Sequence, residues 1–305
     1  MDNIIEVNNL IKKYGDVKAV DGVSFTVSKG EVFGILGPNG AGKTTTVEMI
    51  EGLRKPDSGS IKVCNIDALK ESRRIKEIIG VQLQATSIYE NISVKEAIDL
   101  FGGYYKKPVP TEQIMAEVSL VDKSKSRIGS LSGGQKQRLC VGLALVNDPE
   151  VLFLDEPTTG LDPQARHNIW SIVEKLRDRG KTIIMTTHYM EEAEHLCQRL
   201  AIIDRGKIIA LGTPESLVDS AGLETSIEFS TSRELNGLLN TLPGIRKINN
   251  GTAHKYSVNT KAVSLILKDL TNVCYENHID LENISVRKAT LEDVFLAMTG
   301  HKLRE

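Results

Sequence analysis

The sequence predicts an α/β protein in which residues 1–220 build a largely parallel, buried sheet and residues 221–305 form a smaller α+β unit. Three observations predict it. Val32-Phe33-Gly34-Ile35-Leu36, Val151-Leu152-Phe153-Leu154 and Thr182-Ile183-Ile184-Met185 are short apolar runs without alternation, the pattern of strands covered by helices on both faces. These runs end at Gly37, at Asp155-Glu156 and near His188, and ligands gather at such carboxyl strand ends in open α/β sheets. Beyond Gly222 the order becomes strand, helix, strand, strand, helix, strand, that of a ferredoxin-like split unit.

Composition narrows the function. A chain of 305 residues with 40% hydrophobic and 26% charged residues has enough apolar material for about two ordinary globular domains. The formal net charge of −2 and pI near 6.3 provide no basic field to hold nucleic acid or an anionic membrane, so no direct nucleic-acid partner is expected. Cys64, Cys140, Cys197 and Cys274 are far apart and form no C-x-x-C pair, which fits a reduced, cytosolic compartment. No run approaches the roughly 20 apolar residues of a membrane span, and MDNIIEVNNL lacks the basic and apolar regions of a signal peptide. A membrane role must therefore pass through a partner.

Along the chain, β-rich runs at Ile4–Leu10, Val17–Val20 and Val23–Val27, broken at Tyr14-Gly15-Asp16 and Asp21-Gly22, predict antiparallel strands. Tyr14 is a candidate platform for a nucleobase, the alternative being a half-buried tyrosine at a strand end. Gly37-Pro38-Asn39-Gly40-Ala41-Gly42-Lys43-Thr44 then matches G-x-x-x-x-G-K-[ST] in full, between an apolar strand and a helix start. Its glycines let backbone N–H groups face one anion, and the helix opening near Lys43 adds its positive end. Lys43 offers a mobile cation for the β- and γ-phosphates and Thr44 a hydroxyl for Mg²⁺, with Thr45 in the same binding set. Ile78–Gln84 reads as a short strand ending in amides. Helical spacing follows over about 90–146, through Val94, Ala97, Ile98 and Phe101, then Ile114, Val118 and Val121.

Leu131-Ser132-Gly133-Gly134-Gln135 is a second glycine-bearing turn that opens a helix. Read alone, it is either a second anion site or a plain serine N-cap. Asp155 and Glu156 end a buried strand, where two anions are unfavourable unless a metal or reacting group compensates. Asp155 suits the shell of Mg²⁺ and Glu156 the polarising of an attacking water. Gln164–Arg179 reads as an amphipathic helix, Met190–Arg199 as another, and Leu200–Asp204 and Ile208–Leu211 as a hairpin. In the last unit, strands are expected at Ser226–Phe229, Ile245–Ile248, Lys255–Val258 and Asn283–Val286. Helices are expected at Glu234–Leu242, Val263–Glu276 and Leu291–Thr299, with a turn at Asn249-Asn250-Gly251. Ten basic and ten acidic residues from Ala221 onward leave this unit without charge bias, so an interaction or regulatory module is the modest inference.

In this order the motifs resemble the ATP-binding subunit of ABC transporters, a P-loop NTPase with antiparallel β and helical subdomains, over roughly residues 3–220. Gly37–Thr44 is similar to Walker A, Leu131–Gln135 to the signature motif, and Val151–Glu156 to Walker B with its glutamate. His188 resembles the switch histidine and Tyr14 the adenine-stacking aromatic. Gln84 matches the loop glutamine, although Leu83 stands where proline is usual and Gln82 competes for the role. Thr158–Pro163 and Ala289–Phe295 look like the subclass that powers exporters of drugs, polysaccharides or lipids, in which the C-terminal extension is a soluble accessory domain.

The resemblance implies ATP and Mg²⁺ as ligands, with Thr44, Gln84 and Asp155 around the metal. Lys43, Gln84, Glu156 and His188 would act in hydrolysis. Ser132, Gly133, Gly134 and Gln135 would seal the ATP of a second subunit, in a homodimer carried by a separate permease. The chain would then sit in the cytoplasm, at the inner face of the cell membrane. The other reading, a soluble ABC ATPase acting on nucleic acid or ribosomes, meets a chain with neither tandem ATPase halves nor long basic inserts.

Overall fold

The computed structural model describes residues 2–83, 88–235, 244–248 and 254–300. The chain divides into two compact units, Met1–Pro214 and Glu215–Lys302, slightly ahead of the boundary at 220 read from the sequence.

The first unit opens with β1 (Asn3–Tyr14) and β2 (Val17–Ser28), paired antiparallel about the Gly15-Asp16 turn. Val7 and Leu10 are buried and Asn8 and Asn9 between them exposed, a two-residue gap that coincides with the register shift between Val7 and Leu10. After β3 (Val32–Leu36) and α1 (Lys43–Ile50), β4 (Ser58–Val63) and β5 (Ile66–Asp67) complete this antiparallel sheet in the order β2-β1-β4-β5. The short helix α2 (Ser72–Ile78) precedes β6 (Ile79–Gln82). The sequence reading began that strand at Ile78, but Ile75 is buried on the inner side of a helical turn and the extended backbone starts only at Ile79.

Helices α3 (Val94–Gly102), α4 (Thr111–Glu117) and α5 (Gly133–Ala144) fill the region expected to be helical. Next come β7 (Val151–Asp155), α6 (Pro163–Asp178), β8 (Thr182–Thr187), α7 (Met190–Leu196), β9 (Arg199–Asp204) and β10 (Lys207–Gly212). Here α7 stops at Leu196, short of the expected Arg199. Cys197 turns extended, and Arg199 instead opens β9, where its guanidinium pairs with Glu31 at 3.2 Å and lies over the Phe33 ring.

The second sheet has the order β10-β9-β3-β8-β7-β6, with every pair parallel except β9 with β10. β3, β7 and β8 are buried at every residue, their apolar runs covered on both faces and their polar residues, Asp155, Thr182, Thr186 and Thr187, buried with them. Helix α1 contributes Val47, Met49 and Ile50 to a core that joins Val7 and Leu10 of one sheet to Phe33, Phe153 and Ile184 of the other. The carboxyl ends of β3, β8, β7 and β6 consequently lie side by side.

The second unit contains α8 (Pro214–Ser220), which begins one residue before the division, then β11 (Thr225–Thr231), β12 (Arg246–Ile248), β13 (His254–Thr260), α9 (Val263–Glu276), β14 (Leu281–Arg287) and α10 (Leu291–Thr299). Its strands lie in the order β12-β13-β11-β14 with all neighbours antiparallel. Phe229 and Tyr256 stack at 5.4 Å above Ile266 and Leu270 of α9. Most of the expected helix Glu234–Leu242 and all of the turn Asn249-Asn250-Gly251 lie outside the described residues. All four cysteines are free; three are buried and Cys64 is half-buried.

Glu51, at the end of α1, is 1% exposed and its Oε2 has no hydrogen bond. Burial first, then repulsion from Asp155 and Glu48, pushes its carboxyl up to about 8. The folded state therefore holds a proton that the unfolded chain releases near its ordinary value of 4.5. The stability tied to that proton is complete below about pH 4.5 and is lost as pH rises through about 8. Glu51→Gln should raise the thermal midpoint relative to the native chain at pH 8.5, with the gap closing by pH 5, in a melting series across that window.

Candidate functional site

The phosphate loop is shaped by contacts that only glycine allows. A Cβ on Gly37 would stand 2.2 Å from the Ile203 carbonyl oxygen, and one on Gly42 would stand 2.2 Å from that of Ala19. Gly42 also has a φ of 104°, a left-handed conformation that suits glycine and lets the chain turn abruptly into α1. The loop is thus pressed between β9 and β2, leaving Asn39, Gly40, Gly42, Lys43, Thr44 and Thr45 to line a cleft of about 460 Å³ with Tyr14, Ala19 and Glu156. Tyr14 is 44% exposed at its rim, with Lys12 and Arg54 within 6 Å of the ring, so a ring face can take an aromatic partner.

Lys43 does not extend into solvent. It is 4% exposed, and its Nζ donates to the carbonyls of Gly37 at 2.9 Å and Pro38 at 3.3 Å and pairs with Glu156 Oε1 at 3.2 Å. The cation that the sequence reading offers to the phosphates is held here by the loop carbonyls and Glu156, because an ammonium this deeply buried must be paired.

Asp155 ends β7 with its carboxylate 4% exposed. Its Oδ1 accepts from the hydroxyls of Thr186, in a short contact, and of Thr44 at 3.4 Å. Burial raises its pKa despite those two donors, and the neighbouring Glu156 charge adds to the rise. This is an anion with too little positive charge around it. The donor set, a hydroxyl and a carboxylate of hard oxygen character, fits Mg²⁺. Among the described residues no cluster of three or more acidic, His or Cys side chains could hold a metal by itself, so phosphate oxygens would have to complete the shell.

Glu156 has the opposite environment. Burial pushes its carboxyl up, but Lys43, His188 and Thr159 outweigh that effect and hold it below the ordinary range, so it is an anion at neutral pH. Its backbone has a φ of 48°, a left-handed conformation that carries strain of about 1–3 kcal/mol for a residue other than glycine. Thr186 holds it there, because the Glu156 N–H donates to the Thr186 carbonyl at 3.2 Å and hydroxyl at 2.9 Å. The carboxylate is thereby turned back toward the phosphate loop, and Thr159 donates to its Oε2 at 3.1 Å. His188 Nδ1 stands 3.3 Å from that oxygen but is not directed along a hydrogen bond, so the contact is electrostatic and the ring keeps its bonding capacity.

Ser132 caps α5 reciprocally with Gln135: the Gln135 N–H donates to the Ser132 hydroxyl at 3.3 Å, and the Ser132 N–H donates to Gln135 Oε1 at 2.9 Å. Ser132 and Gly133 are exposed, and among the described residues Leu131–Gln135 contribute nothing to the lining of the phosphate-loop cleft. A Cβ on Gly134 would lie 2.8 Å from Ala165 Cβ, so α5 is pressed against the first turn of α6, itself capped by Asp162. Gln84 lies outside the described residues. Gln82 is buried, donating to Leu83 at 2.7 Å and to the Asp155 carbonyl at 3.4 Å, and its Oε1 has no hydrogen bond.

The structure therefore brings Lys43, Thr44, Asp155, Glu156 and His188 together and leaves Ser132–Gln135 apart from them. The sequence reading missed Thr186, which positions both carboxylates, and Thr159. The pair of hydroxyls Thr186-Thr187, closing the apolar run Ile183–Met185 just ahead of His188, was the available signal for Thr186.

The family model for ABC transporters matches residues 20–159. A Nod factor export ATP-binding protein from Burkholderia lata is 40% identical, with 99% of this chain and 98% of that protein covered. This chain belongs to the ATP-binding subunits of ABC transporters. The linearmycin resistance ATP-binding protein of Bacillus subtilis is 36% identical over 99% of this chain and all of its own length. Among solved structures, the ADP conformation of the ATP-binding cassette MJ1267 superposes with a TM-score of 0.64 at 30% identity, covering 71% of this chain and 93% of that one. The reaction is accordingly ATP hydrolysis, a phosphoryl transfer to water in which positioning and charge stabilisation do most of the work.

Glu156→Gln removes the anion while keeping its shape. We expect ATP binding to persist in equilibrium titration and hydrolysis to fall at least 100-fold in a phosphate-release assay. Near-normal turnover would exclude Glu156 as the base.

Proposed function

We propose that this subunit works as a homodimer that closes around two ATP molecules and drives an exporter through a separate membrane permease. The observation that carries the dimer is the separation just described: Lys43, Thr44 and Glu156 line one cleft with Asp155 and His188 against them, whereas Ser132 and Gly133 are exposed and Leu131–Gln135 take no part in its lining. A second copy presenting Ser132 and Gly134 to the γ-phosphate completes the site, using the free N–H groups at the start of the twelve-residue helix α5.

In that closed site Tyr14 stacks on the adenine, and the N–H groups of Gly37–Thr45 enclose the phosphates. Thr44, Asp155 and Gln84 are the side chains that would hold Mg²⁺, which when bound supplies charge neutralisation on the β- and γ-phosphates. Lys43 exchanges its loop carbonyls for a phosphate oxygen, freeing Glu156 Oε1 to orient a water, while His188 turns its ring toward the γ-phosphate. Closure with ATP and opening with ADP then deliver the mechanical step.

No helix among the described residues is long and apolar enough to cross a membrane, so passage of a substrate needs a permease. The names of the two relatives, one of export and one of drug resistance, support an exporter of drugs, polysaccharides or lipids, with this subunit held at the cytoplasmic face of the cell membrane. A groove of about 390 Å³ beside β6, lined by Leu53, Leu83, Phe101 and Tyr104, is where we place an apolar segment of the permease. Residues 221–305 act as an accessory domain. The soluble reading, on nucleic acid or ribosomes, is disfavoured by the net charge of −2.

Ser132→Arg should abolish hydrolysis by the dimer while each chain still binds one ATP, measured by titration beside a turnover assay. Full activity in that variant would mean that the signature loop never meets phosphate. The native chain should also co-purify with a multi-span protein from detergent-solubilised membranes, and recovery on ribosomes instead would favour the alternative.

A further inference from the structure

Glu192, in α7, is fully buried, with 0% of its surface exposed. One carboxyl oxygen, Oε1, accepts from the indole Nε1 of Trp170 at 3.0 Å. The other, Oε2, is buried without a hydrogen bond, and so is the hydroxyl of Thr158 in the loop after β7. The Thr187 and Thr158 hydroxyls nevertheless stand close enough to pull the carboxyl's pKa down, against a burial that raises it overall. Leaving a carboxylate oxygen and a hydroxyl both unpaired in a core is unfavourable, and a purely structural position would be better filled by an apolar side chain. Two complementary groups, near one another and each lacking a bond, mark a pair that forms in a second arrangement of the loops.

The neighbours show what such a pair would join. Thr158 precedes the Thr159 that donates to Glu156, and Thr187 precedes His188, its hydroxyl accepting from the Tyr189 N–H at 2.9 Å. Trp170 lies on α6, wedged between the rings of His167 at 4.8 Å and His195 at 4.7 Å. The first turn of the same helix presses on Gly134 of the signature loop through Ala165. A continuous set of packed groups therefore runs from Gly134 through α6 and Trp170 to Glu192, and on to the loops that carry Glu156 and His188.

We propose that Glu192 is a positioning residue: on ATP binding its Oε2 takes up the Thr158 hydroxyl, so that the signature loop facing the partner's ATP and the His188 loop facing its own are set together. The proposal rests on the roles given above to Glu156, His188 and the signature loop. It deepens them by naming what couples one ATP site to the other within a single chain.

Trp170 is the only tryptophan in the chain, so its emission reports the Glu192 contact directly. Binding of the non-hydrolysable analogue Mg–AMP-PNP to the full-length native chain should shift that emission. In Thr158→Val the analogue should bind with unchanged affinity but without the shift. Thr158→Val should also lower kcat about tenfold or more with little change in KM for ATP and with loss of cooperativity, and Thr158→Ser should restore all three. Unchanged Trp170 emission in a native chain that titration shows to be loaded would overturn the proposal whether or not the valine variant folds. Native kcat and cooperativity in Thr158→Val would do so as well. Failure of the native chain to bind the analogue at all would instead remove the nucleotide reading on which the proposal rests.

Discussion

The ion pair between Lys43 and Glu156 is the interaction around which this molecule is arranged. Both side chains are almost completely buried, at the ends of neighbouring elements that the parallel sheet brings together, and neither charge is tolerable there without the other. The pair holds the lysine in the phosphate loop and keeps the glutamate ionised, so one contact stores both the cation and the base of the proposed mechanism. Its formation depends on a strained residue at Glu156 and on Thr186 to hold that strain. The pair is therefore a consequence of strand order: β3 and β7 flank β8, and only that order lets the Thr186 backbone and hydroxyl grip the turn that follows β7.

Much of the first unit was legible in the sequence because its determinants are local. Unbroken apolar runs identify β3, β7 and β8 without any knowledge of partners, since strands buried on both faces cannot alternate. The phosphate loop is equally local, its glycines, lysine and threonine being consecutive. What escaped was non-local. The pairing of Lys43 with Glu156 is invisible until the fold places the two side by side, and α2 is a single buried residue, Ile75, on an otherwise exposed turn, too weak a periodicity to notice. The end of α7 was misplaced because the arginine that looks like a helix terminus is drawn into β9 by Glu31 and Phe33.

The two glycine-bearing turns show how similar local chemistry serves different ends. Both open a helix and both offer free N–H groups. The first is walled by β2 and β9 into a cleft, while the second remains at the surface with its cap closed on itself through Gln135. In the proposed dimer, a site split in this way is silent in one chain and complete in two, which makes assembly a condition of chemistry. Burial of Glu51 and Glu192 adds a related point: among the described residues, the unpaired buried carboxyl oxygens all lie in the first unit, the one that moves in the proposed mechanism.

The crowding of Gly37 against Ile203 and of Gly42 against Ala19 reaches beyond the single molecule. Any single-base change in a glycine codon that alters the residue introduces at least a Cβ, and at these two positions that one carbon would overlap a main-chain oxygen belonging to a distant strand. A change at either position therefore requires a distant strand to shift at the same time, whereas one on an exposed surface asks nothing of the rest of the chain. Lineages of the protein are free to change what they dock with long before they are free to change how they hold a phosphate.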